Sequence, residues 1–182
     1  ARTEILDVLS AKEVRPILLS ERDSKLGGVE TFPEARRCAD LFRREAATTE
    51  AATTEAATIE GILVALPNFG DEKGVADAIR MADLDVPVLV QAYPDELSKL
   101  GPTSRRDGFC GKISVCNNLR QYGIPFSLTT QHVVAPGAAS FSRDLDDFLA
   151  VCRVVSKMRR VRLGAVGARP SAFNTVRYSE KI

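Results

Sequence analysis

The side chains that could do chemistry gather just past the apolar runs of this sequence. Asn68, Asp71, Glu72 and Lys73 follow one run, Gln91, Tyr93 and Asp95 the next, Gln131 and His132 a third, and Arg169 and Asn174 the last. Arg105, Arg106 and Asp107 precede a segment that carries Lys112, Ser114, Asn117 and Asn118. Amides, guanidinium groups and hydroxyls each offer several donors or acceptors, so a crevice built from them suits a polyhydroxylated or anionic small molecule. The candidate binding residues are Asn68, Gln91, Arg106, Lys112, Asn117, His132 and Arg169. A surface salt bridge or a helix cap is the competing role for Arg106, Lys112 and Asn117. His132 on its own reads first as a loop residue bonded to backbone and second as a ligand contact. It is the one histidine in the chain, so a multi-histidine metal site within one chain is impossible. The DLDD carboxylates at 144–147 read as partners of a helix dipole and a solvated face rather than as a metal cluster.

Rival chemistries lack their motifs. Neither G-x-x-x-x-G-K-[ST] nor G-x-G-x-x-G occurs, so no phosphate cradle is expected. There is no G-x-S-x-G elbow, and a cysteine–histidine pair would need His132 without local support. The four cysteines, Cys38, Cys110, Cys116 and Cys152, form no C-x-x-C pair and sit in apolar patterns. Reduced, buried thiols in a cytoplasmic protein are the simplest reading.

The elements that must position these residues alternate between apolar strand-like runs and helical patterns. That alternation is the signature of an α/β fold: an open parallel sheet with helices on both faces, flavodoxin-like or Rossmann-like, with about five strands. A helix is expected over 3–12 and a strand over 14–19. Thr31-Phe32-Pro33-Glu34 is a capping box that should start a helix. Gly61–Leu66 (GILVAL), Pro87–Ala92 (PVLVQA), Pro125–Thr130 and Val161–Gly167 read as further strands. Asp71 caps a helix with Val75, Ile79 and Ala82 on one face; Phe109, Ile113 and Cys116 mark another, ending near Gly123. The clearest amphipathic helix covers 142–160, with the stripe Leu145, Phe148, Leu149, Cys152 and Val155, and Ser171 opens a last one. In such sheets ligands bind beyond the carboxyl ends of the strands, where the polar residues named above fall.

Residues 1–160 are expected to form an N-terminal α/β domain. Residues 161–182 are expected to be its last strand and a helix, the start of a following domain. Both ends read as cut, and a first strand is expected upstream. Glu45–Ile59 is a tandem repeat, EAATT-EAATT-EAATI. Continuing the helix from Phe32 through it would give about 26 residues and roughly 40 Å, against about 20 Å for a six-residue strand. The repeat is either a docking arm or, more simply, a tandem duplication or engineered insertion.

Composition narrows the function. The 182 residues hold 25 Lys and Arg against 24 Asp and Glu, so the basic face that nucleic-acid binding requires is not expected. No apolar run approaches the roughly 18 residues of a membrane span, and the opening Ala1-Arg2-Thr3-Glu4 does not read as a signal peptide.

Several blocks carry a resemblance. Gly27–Thr31 (GGVET) is followed by Ala35–Phe42 (ARRCADLF), LPNFGDEKGVADAIR (66–80), DVPVLVQAYPDEL (85–97), RRDGFCGKISVCNNLRQYGIPF (105–126) and GARPSAFNTVRYSEK (167–181). Together they resemble the N-terminal region of L-fucose isomerase-like proteins, relatives of L-fucose and L-arabinose isomerases, from about residue 14 to the end apart from the EAATT repeat. The resemblance implies an aldose–ketose isomerase working through an ene-diol, with a divalent metal, usually manganese, and carboxylates that move the proton. It places the metal ligands, acidic residues and a histidine, in later domains. No metal ligand, catalytic base or cofactor is therefore assigned within this chain.

The resemblance also implies a homo-oligomer in which this domain packs on a neighbouring subunit and helps close over the sugar. The 105–118 segment and the loop at Arg169 are the candidates for that role. Two alternatives stay open: a flavodoxin-like module that binds a small polar ligand, and an engineered or structural fragment with no ligand.

Overall fold

In the computed structural model, residues 1–51, 59–159, 161–164 and 166 are described. Their elements are α1 (Arg2–Ala11), α2 (Phe32–Ala51), β1 (Ile62–Leu66), α3 (Glu72–Ala82), β2 (Val88–Ala92), α4 (Gly108–Gln121), β3 (Ser127–Leu128) and α5 (Ala139–Met158), with a short 3-10 turn at Lys25–Gly27.

The strands form a parallel sheet in the order β1-β2-β3. Ile62 pairs with Val88 and Leu66 with Ala92; Leu89 pairs with Ser127 and Val90 with Leu128. Alternation along each strand then sorts the side chains between two faces. Ile62, Val64, Leu66, Val88, Val90 and Ala92 pack against Ala76 of α3 and Val115 and Leu119 of α4. Leu63 and Leu89 point the other way, to Leu9 of α1 and Phe141, Leu145, Phe148 and Cys152 of α5. The result is the expected layering of helices on both faces of an open parallel sheet.

Helix starts follow their local chemistry. The Asp71 carboxylate accepts from the backbone N–H of Lys73 at 2.9 Å and of Gly74 at 3.1 Å, which fixes the start of α3. At α2 the Thr31 hydroxyl accepts from the Glu34 N–H at 3.4 Å, and the Glu34 carboxylate reaches back to the Glu30 N–H at 2.9 Å. The Glu30 N–H, together with the Thr31 hydroxyl that donates to the same carboxylate at 2.9 Å, holds the Glu34 carboxyl below its ordinary range.

The strand count departs from expectation: the described residues hold three strands, not about five. Residues 14–19 make no ladder. Leu19 instead packs with Ala35 and Cys38 of α2 and Ala78 of α3, and its carbonyl accepts from the Arg2 guanidinium at 2.7 Å. That apolar run serves a helix-packing cluster, which periodicity alone does not separate from a strand. The strand expected over 125–130 shrinks to Ser127–Leu128, because Thr129 and Thr130 turn to side-chain bonds. Residues 161–164 and 166 are not in a strand, and Leu163 and Val166 are fully exposed. The remainder of that expected strand, the helix from Ser171, Arg169 and the repeat beyond Ala51 up to residue 58 lie outside the described residues. Among the described residues no helix is long and apolar enough to cross a membrane.

Candidate functional site

The carboxyl ends of the three strands feed loops that are knotted to one another and to the first turn of α4. The Asp95 carboxylate accepts from the backbone N–H of Arg106 at 2.8 Å and of Asp107 at 3.0 Å, closing the loop after β2. The Arg106 carbonyl accepts from the Phe69 N–H at 2.7 Å, tying that loop to the one after β1. The Arg106 side chain completes the knot: it donates to the Pro67 carbonyl at 3.1 Å and to Glu96 at 2.9 Å, and lies 5.5 Å over the Tyr93 ring. Lys99 and Arg106 together hold the Glu96 carboxyl below the usual carboxylate range.

Two glycines let α4 approach this closely. A Cβ at Gly108 would stand 2.3 Å from the Tyr93 carbonyl oxygen, and one at Gly111 would stand 3.2 Å from the Cα of Phe69. Asp107, just before the helix, takes a left-handed conformation (φ 51°) to make the turn. The Tyr93 hydroxyl donates to the Ala1 carbonyl at 2.7 Å, and burial with the nearby Glu4 carboxylate pushes the phenol above its ordinary range.

Beneath these loops lies a polar layer. The Lys112 ammonium, only 4% exposed, donates to the Thr129 hydroxyl at 2.7 Å, and that hydroxyl donates to the Gln131 carbonyl at 2.8 Å. Burial lowers the Lys112 pKa, while the Cys116 thiol and the Asp144 carboxylate oppose the shift. Asp144 accepts from the Thr130 N–H at 3.0 Å and its hydroxyl at 2.5 Å, so this member of the DLDD run anchors the loop after β3. Gln91, fully buried, donates to the Val134 carbonyl at 2.6 Å.

The sequence candidates therefore separate by depth. Asn68, Arg106 and His132 each lie in a loop at the strand ends: the Asn68 side-chain amide donates to the Phe69 carbonyl at 2.8 Å, and the exposed His132 ring sits 5.4 Å from the Phe109 ring of the first α4 turn. Gln91 and Lys112 lie inside, bonded to the protein itself. Asn117 is exposed on α4, roughly 13 Å along the axis from its first residue at 1.5 Å per residue. Arg169 lies outside the described residues. Sequence reasoning did not single out Phe69, and it set Phe109 with Ile113 and Cys116 on one apolar helix face; the structure exposes Phe69, Phe109 and Ile113, and it is Val115 and Leu119 that α4 buries. The signal for the two rings is position, an aromatic directly after a strand and another at a helix start, both in the polar zone.

Among the described residues no group of three or more His, Cys, Asp or Glu side chains could hold a metal ion. Four carboxylates near the strand ends already serve the protein: Asp95 binds two backbone N–H groups, Asp107 pairs with Arg105, Glu96 with Arg106 and Lys99, and Asp144 with Thr130; Glu72 is exposed beside them. This donor set does not fit the manganese that the resemblance implies.

The model of the fucose/sulfoquinovose isomerase N-terminal domain matches residues 1–159. The chain belongs to this family. The fucose/sulfoquinovose isomerase N-terminal domain thus ends where α5 ends, and all the strand-end loops lie within it. No curated protein and no solved structure matches the chain.

Proposed function

We propose that this domain serves a metal-dependent aldose–ketose isomerase by assembling with a neighbouring subunit and closing over the sugar bound there, and that it is inactive by itself. The observation that carries the reading is the strand-end surface of a chain in this family. Asn68 and Phe69 in the loop after β1, and His132 beside Phe109 of the first α4 turn, offer an amide, an imidazole and two apolar rings at the strand ends. Hydrogen-bonding groups beside exposed rings suit the hydroxyls and the C–H faces of a sugar. The metal and the proton-transferring carboxylates belong, on this reading, to other domains of the parent enzyme. All four thiols are free, in keeping with a reducing cytoplasm.

Two assays test the reading. This chain alone, given manganese and a panel of aldoses including L-fucose and L-arabinose, should show no turnover. Metal-dependent turnover would place the chemistry within these residues and overturn the proposal. In the parent enzyme, Asn68→Ala and His132→Ala should each raise KM for the sugar about 2- to 12-fold, the value of one lost hydrogen bond, without loss of bound metal. An unchanged KM in both variants would remove the strand-end surface from the sugar site.

A further inference from the structure

Of the side chains on α4, Lys112 is the one charged group taken out of water. Among the described residues its ammonium makes one hydrogen bond, 2.7 Å to the hydroxyl of Thr129, which is itself buried. An apolar side chain of the same length would fill this space without desolvating a charge, so packing alone does not account for an ammonium here. What the ammonium adds is a hydrogen bond of fixed sense. Lysine has protons to give and no lone pair to offer, so the Thr129 oxygen accepts from it and the hydroxyl proton is left to point elsewhere. It points to the Gln131 carbonyl at 2.8 Å. That carbonyl belongs to the planar peptide group that joins Gln131 to His132. The loop is also pinned on either side: Asp144 accepts from the Thr130 N–H at 3.0 Å, and the Val134 N–H donates to the Ala92 carbonyl at 2.9 Å. Between these pins the Thr129 hydroxyl reaches the His132 peptide itself. Lys112 lies three residues, about one helical turn, after Phe109, whose ring stands 5.4 Å from the imidazole. The same stretch of α4 thus supplies the ring beside His132 and the ammonium behind it.

We infer that Lys112 is a positioning residue: through the Thr129 hydroxyl it fixes the peptide that carries His132 and so holds the imidazole beside Phe109 at the strand ends. Lys112 itself touches no ligand. Its ammonium orients one hydroxyl, the hydroxyl orients one carbonyl, and the carbonyl sets the direction in which the next side chain leaves the loop. In a polar chain of this kind each bond strengthens the next, so removing either the ammonium or the hydroxyl frees the same peptide. The inference rests on the proposed function only for what His132 then does, which is to contact the sugar.

His132 is the one histidine of the chain, so its imidazole gives a single, unambiguous set of ring signals in a proton–carbon NMR spectrum. At about pH 8, where an ordinary imidazole is neutral, those signals report the place of the ring against Phe109 rather than its titration. Lys112→Met and Thr129→Val should each move them toward their position in the urea-unfolded chain, with far-UV circular dichroism unchanged. Thr129→Ser, which keeps the hydroxyl, should leave them near wild type. Should Lys112→Met not fold, the comparison of Thr129→Val with Thr129→Ser carries the test. In the parent enzyme Lys112→Met should raise KM for the sugar about 2- to 12-fold with kcat held, and combining it with His132→Ala should do no more than the larger single change. Three outcomes would overturn the inference: imidazole signals unmoved in both Lys112→Met and Thr129→Val; Thr129→Ser as disruptive as Thr129→Val; or KM effects of Lys112→Met and His132→Ala that multiply in the double variant. An unchanged KM in His132→Ala would instead overturn the sugar-site reading, and the NMR comparison would still decide whether Lys112 positions the ring.

Discussion

Gly108→Ala should be among the most damaging single-methyl additions this domain can receive. The added Cβ would stand 2.3 Å from the Tyr93 carbonyl oxygen, about 1 Å inside ordinary contact. The obstacle is backbone, so no rotamer change relieves it. Either the first turn of α4 or the chain after β2 must move. The first is held by the Asp95 carboxylate on two N–H groups at 2.8 and 3.0 Å, and the second by the Tyr93 N–H on the Leu66 carbonyl at 2.9 Å. Overpacking costs about 1–3 kcal/mol and weakening a charge-assisted bond about 1.5–3 kcal/mol, less up to about 1 kcal/mol for the better helix propensity of Ala. The net is about 1.5–6 kcal/mol, or a Tm lower by roughly 3–24 °C in a chain of this size. Urea unfolding followed by far-UV circular dichroism measures it. Gly111→Ala, at 3.2 Å from the Phe69 Cα, should cost about 1 kcal/mol, and Gly70→Ala and Gly137→Ala, with nothing within 4 Å, should fall within about 0.5 kcal/mol. A Gly108→Ala effect no larger than that of Gly70→Ala would refute the close approach of α4 to the strand-end loop.

Two further predictions follow from the buried titratable groups. Burial lowers the Lys112 pKa from its ordinary 10.5, so the unfolded chain holds more protons between the folded value and 10.5, and stability contributed at this site rises with pH through that window. Relative to Lys112→Met, the wild type should therefore gain stability as pH climbs toward 10.5 in urea titrations; parallel curves for the two proteins would refute the shift. Burial pushes the Cys38 and Cys152 thiols up to about 11, whereas Cys110 is exposed. A thiol reagent near pH 8 should label Cys110 first and reach Cys38 and Cys152 only as the domain unfolds, and fast labelling that survives Cys110→Ser would sink this assignment.

The parts of the fold legible in the sequence are those where one physical cause dominates. Ile62–Leu66 and Val88–Ala92 fall within a residue of the expected runs because helices cover both faces of the sheet, leaving a continuous apolar signal. The stripe Leu145, Phe148 and Cys152 fixes the buried side of α5 in the same way. Residues 14–19 mislead because an apolar run reports burial, not the partner that provides it, and here the partner is a pair of helices. The end of β3 was not legible because Thr129 and Thr130, good strand residues by type, are drawn off by Lys112 and Asp144, which lie 17 and 14 positions away in sequence.

The site shows the same division. Topology alone places Asn68, Arg106 and His132 at the strand ends, but residue type does not say whether a polar group faces outward or braces the protein. Arg106 has three partners within the chain and Lys112 has Thr129, so their cationic groups are engaged in holding the loops. Asn68, His132 and the rings of Phe69 and Phe109 stay exposed. Side chains of this kind can orient hydroxyl groups and shield the faces between them. On the proposed reading these side chains contact a sugar that a second surface also covers, which is why that reading couples sugar handling to assembly with a neighbouring subunit.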